Sequence, residues 1–106
     1  MMSAINPDNS GDILTELPEE IKAGYTDIKQ LPNGELIGIL RLMFHWTVHV
    51  GIDFIGYRDR YCFDTYELAK QDFDNWNIEE EPKNWHRHPS TGRRRDITTG
   101  KEWIDW

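Results

Sequence analysis

A chain of 106 residues and 12.6 kDa has room for one small hydrophobic core and no second one. Twelve Lys and Arg against nineteen Asp and Glu leave a formal charge of -7, which disfavours nucleic-acid binding by bulk charge. The mean hydropathy of -0.73 is polar, yet 12% of residues are aromatic, and disordered chains are poor in such residues.

Residues 1–20 mix Pro, Asn, Asp, Ser and Gly with few large apolar groups, and read as a flexible acidic arm. The first residues lack a basic start followed by an apolar run, so no secretory signal is expected. A helical turn can open near Pro18, where Glu19 and Glu20 suit a helix N-terminus. Tyr25 to Leu31 can form a strand, and Pro32-Asn33-Gly34-Glu35 is a strong turn.

Leu36 to Val50 alternates with period two. Leu36, Gly38, Leu40, Leu42, Phe44, Trp46, Val48 and Val50 make one apolar set, and Ile37, Ile39, Arg41, Met43, His45, Thr47 and His49 the other. The pattern predicts one long strand over a core. Arg41, His45, His49 and Asp53 interrupt the apolar run, so no membrane span is expected. Gly51 to Gly56 is a glycine-bounded connection, and Tyr57 to Phe63 a third strand. Asp64 followed by Glu67 suggests an N-cap, opening a helix from Thr65 to about Trp76 with Tyr66, Ala69, Phe73 and Trp76 on one stripe.

The expected fold is α+β: a three-stranded antiparallel β-meander over residues 21–76, packed by one C-terminal amphipathic helix, with irregular segments at both ends. Residues 77–106 form a Trp- and Arg-rich segment. Burying one Trp is worth roughly 1.5–3 kcal/mol, so at least Trp85 should dock on the core.

Little in the chain points to catalysis. The lone Cys62 excludes an intramolecular disulfide and a multi-cysteine metal site, and fits a reducing, cytoplasmic setting. Tyr61-Cys62-Phe63 reads as a strand interior with a buried structural thiol, and a nucleophile would need His45 or His49 to approach across the sheet. On one strand those two histidines stand ~13 Å apart, too far to share an ion. His86 and His88 lack a third ligand at metal-binding spacing. Phosphate loops, nucleophile elbows and HExxH do not occur. No catalytic residue, metal or cofactor is therefore assigned, and a non-enzyme is expected.

The candidate anion- or partner-binding residues are Lys83, Trp85, Arg87, Arg93, Arg94 and Arg95. Arginine forks bind phosphate bidentately and an adjacent Trp can stack on a base. The competing reading is pairing within the chain, with the acidic arm or Glu79 to Glu81. The sheet face opposite the helix also needs a cover, from the Trp-rich tail, a protein partner or a second copy in a homodimer.

The stretch Gly56-Tyr57-Arg58-Asp59-Arg60-Tyr61-Cys62-Phe63-Asp64-Thr65, with the helix ending in Trp76, resembles small uncharacterised proteins of bacteriophages and prophages over about residues 36–76. The resemblance implies an accessory product acting inside a bacterial host and brings no catalytic residues with it. The expected function is a non-enzymatic phage-type accessory protein that binds a host or phage macromolecule, foremost a protein. The alternative is a nucleic-acid or nucleotide binder acting through segment 83–95.

Overall fold

The structure, a computed structural model, describes residues 17–103. Pro18 opens α1 (Glu19–Lys22), its carbonyl accepting from the N–H groups of Ile21 and Lys22 at 3.1 and 3.2 Å. Of the expected acidic arm, residues 1–16 lie outside the described residues, and Leu17 is buried against Leu36 and Ile52. Strand β1 (Asp27–Gln30) then turns at Gly34, whose φ of 94° suits glycine, into β2 (Leu36–Leu42). Strands β3 (His45–Val50) and β4 (Asp59–Phe63) follow, then α2 (Tyr66–Asp74). Three short strands complete the order: β5 (Arg87–His88), β6 (Arg93–Arg95) and β7 (Glu102–Trp103).

All the strands form one seven-stranded antiparallel sheet in chain order. The three-stranded meander with a single helix is therefore corrected, although the α+β class holds: the described residues hold two helices, and the segment expected to be irregular adds three strands. Strands of two or three residues are too short for alternation to register in a sequence.

The single strand from Leu36 to Val50 is corrected as well. The chain reverses at Met43-Phe44, and β2 pairs with β3 through Leu42 opposite His45, Leu40 opposite Thr47 and Gly38 opposite His49. Partners across a ladder share a face, so even-numbered residues of β2 lie with odd-numbered residues of β3. The core side is accordingly Ile37 and Ile39 with Trp46, Val48 and Val50, not the even-numbered set. Alternation continues up to a two-residue reversal and resumes after it. Because Met43 and Phe44 carry none of the usual turn chemistry, the sequence hides the break.

The N-cap of α2 is Thr65 rather than Asp64, its hydroxyl accepting from Leu68 N–H at 3.2 Å. Ala69 and Phe73 carry the helix onto the sheet, packing with Ile37, Ile39, Val48, Val50, Tyr61 and Phe63. The opposite face carries a smaller cluster of Leu17, Leu36 and Ile52, flanked by Ile21, Tyr25 and Ile28.

Candidate functional site

The six basic-segment residues do not form one patch. Asp72 of α2, itself buried, accepts from Asn84 N–H at 2.7 Å and Asn84 Nδ2 at 2.9 Å, which places Trp85 over the core. Trp85 is 1% exposed and lies 5.9 Å from the Tyr61 ring. Arg93 and Arg95 each set a guanidinium 5.1 Å from its ring centre, and Arg95 Nε donates to the Trp85 carbonyl at 3.2 Å. Arg93 also holds Glu81 at 2.5 and 2.7 Å and Glu102 at 2.6 and 3.0 Å. Those carboxylates raise the Arg93 pKa, and Arg93 in turn lowers theirs. Trp85 is thus an internal group with no indole face open to a base, and Arg93 and Arg95 are half-buried beside it, Arg93 already held by two carboxylates. Lys83 is exposed in the loop before Asn84, beside a shallow pocket that also borders Asp72. Arg87 and Arg94 are ladder partners, and Arg87 reaches the other face of the sheet.

That other face has two differently built ends. At one end Tyr25 lies flat over Gly38, where an added Cβ would come within 2.6 Å of the Tyr25 ring. The Tyr25 hydroxyl meets His49 Nδ1 at 2.9 Å, and Tyr57 stacks on the His49 ring at 3.6 Å with planes 13° apart. Burial, with the charge of Arg60 second, pushes the His49 pKa down to about 4. This imidazole is neutral and enclosed.

At the other end the face is concave. Thr47 and Cys62, opposite one another across β3 and β4, lie in a cavity of about 330 Å³ bordered by Leu42, Met43, His45, Arg60, Arg87 and Pro89. The Cys62 Sγ lies 4.0 Å from Thr47 Oγ1. Burial raises the Cys62 pKa, only partly countered by Thr47, Arg60 and Arg87, so the group is a thiol at neutral pH rather than an activated thiolate. His45 stands 5.1 Å from His86, ring centre to ring centre. His86 Nδ1 comes within 3.1 Å of Asp64 but is poorly aligned for a hydrogen bond, and burial lowers the His86 pKa. Among the described residues no group of three or more His, Cys, Asp or Glu is placed to hold a metal ion.

Sequence reasoning does not single out Arg60 or Phe44, and it offers Met43 only with Ile37 and Ile39 as a protein-binding strand face, whereas Ile37 and Ile39 lie in the core. Alternation put Arg60 on the Cys62 side, but only the pairing of Cys62 with Arg87 shows that a second arginine arrives from 25 residues further along the chain. Alternation predicts strand residues at Met43 and Phe44, whereas each is 82% exposed at the hairpin tip. No helix among the described residues is long and apolar enough to cross a membrane. Comparison with protein-family models, curated proteins and solved structures returns no match for this chain.

Proposed function

We propose that the protein is a non-enzymatic accessory protein that acts by binding another protein, and that the β2–β3 hairpin tip is its docking element. The observation that carries this reading is the tip itself. Met43 adopts a φ of 51°, a left-handed conformation that costs an L-residue about 1–2 kcal/mol and that Asn or Gly would adopt more easily. Met43 and Phe44 then expose large apolar side chains that the fold does not use. A strained turn holding two such side chains in solvent suits insertion into an apolar pocket of a partner. The burial of Trp85 and the pairing of Arg93 with Glu81 and Glu102 weigh against the nucleic-acid reading built on them. The phage-type setting and bacterial cytoplasm rest on the resemblance over residues 36–76 and on cysteine usage.

Affinity capture from a nuclease-treated bacterial lysate tests the proposal. A specific protein should be retained by the wild-type chain and lost with the double variant Met43→Asn/Phe44→Ser, whose circular dichroism should be unchanged. Capture that survives the double substitution, or that nuclease abolishes, would overturn it.

A further inference from the structure

We infer that Arg60 and Arg87 form a binding site for a single phosphate group, free or as a small monoester, in the cavity floored by Thr47 and Cys62. Both arginines border this cavity from adjacent strands, Arg60 from β4 and Arg87 from β5. No Asp or Glu borders the cavity, and neither arginine hydrogen-bonds or ion-pairs with a carboxylate among the described residues. By contrast, Arg58 holds Glu35 and Asp59, and Arg93 holds Glu81 and Glu102.

The Arg60 Nε–H is buried without an acceptor, and its guanidinium lies 6.0 Å from the Tyr57 ring, which limits where it can swing. A buried charged donor left unpaired is costly, and a tetrahedral oxyanion supplies several acceptors to two forks at once. The cavity's volume of about 330 Å³ suits a small ligand. Leu42, Met43 and Pro89 add an apolar border for the organic part of a monoester. The net charge of -7 opposes the long-range approach of a polymer of phosphates, which favours one small anion over a nucleic-acid strand. The site shares Met43 with the hairpin tip but does not border on Phe44, so a Phe44 variant separates it from the docking proposal.

The test is amide chemical-shift titration of the full chain with inorganic phosphate, with adenosine 5′-monophosphate and with acetate, at fixed ionic strength. Phosphate or the nucleotide should produce saturable shifts at Thr47, Arg60, Cys62 and Arg87, with acetate weaker. Arg60→Gln and Arg87→Gln should each weaken binding by about tenfold or more, because a charge-assisted fork is lost. Arg87 is exposed, so Arg87→Gln keeps the test decisive even where Arg60→Gln perturbs folding. Tighter binding of the nucleotide assigns the organic group to the apolar border, whereas equal or tighter binding of phosphate identifies the free anion as ligand. Phe44→Ser should leave the titration unchanged. Absence of saturable shifts with both phosphates, acetate binding as tightly as phosphate, or unchanged affinity in Arg87→Gln would each overturn the inference.

Discussion

The two ends of the sheet face turned away from α2 are made from the same strands and finished in opposite ways. Around Gly38 and His49 the surface is closed by Tyr25, Tyr57 and the cluster of Leu17, Leu36 and Ile52. Around Thr47 and Cys62, themselves buried, no aromatic ring caps the strands among the described residues, and Arg60 and Arg87 border a concavity. Covering a surface with aromatic rings rewards close packing and makes the covered end intolerant of added volume or buried charge. An end left concave and cationic contributes little to stability and keeps its groups available to a ligand. A sheet face can therefore be divided between folding and binding without a change of element.

The largest expected effect breaks the closed end. Gly38→Ala places a methyl within 2.6 Å of the Tyr25 ring and should cost about 3 kcal/mol in urea denaturation, the upper range for overpacking.

Next comes pH. Folded His49 has its pKa lowered to about 4 against an ordinary value of 6.5, and burial lowers His86 and His88 too. Each binds its proton less tightly folded than unfolded, so their contribution is complete above pH 6.5 and is lost as pH falls toward 4. For His49 this amounts to about 2–3 kcal/mol. Asp72, whose carboxyl burial raises, works in the opposite sense over part of that window. The comparison that isolates the closed end is urea denaturation of wild type and His49→Gln at pH 7 and 4.5, where the variant should lose much less stability on acidification.

A smaller change in the favourable direction is expected at the hairpin. Met43→Asn relieves the left-handed backbone and should raise stability by about 1 kcal/mol while weakening partner capture. A gain in both would separate the turn from any binding role. Smallest of all, Arg87→Gln should shift unfolding by no more than about 0.5 kcal/mol, as expected of an exposed side chain without a carboxylate partner. A loss well above that would place the open end on the folding side of the comparison.

The α2 stripe was legible because Ala69 and Phe73 follow helical spacing and both are buried in the core. The turn at Gly34 was legible because Asn-Gly states its own backbone preference. The break at Met43-Phe44 was not, since apolar turn residues imitate a continuing strand. Because of that one reversal the core face expected for Trp46, Val48 and Val50 holds, while in Leu36–Leu42 it falls on Ile37 and Ile39 instead of the even-numbered residues. Strands β5 to β7 were illegible for a different reason. They are held by Trp85 in the core, by the Asp72–Asn84 bonds and by Arg93 between two glutamates, all of them contacts between residues distant in sequence.

What the sequence alone determined is the local chemistry: one core's worth of aromatic and aliphatic residues, period-two runs, an amphipathic helix, a single cysteine and an acidic surplus. Tertiary structure decided which side of the sheet each residue joined and which charges met. Register across a hairpin depends on where the chain reverses, and the pairing of a cation depends on which carboxylates the fold brings within reach. Arg93 found Glu81 and Glu102, while Arg60 and Arg87 were set around Cys62 with no such neighbour among the described residues. Spacing along the chain carries no record of that difference.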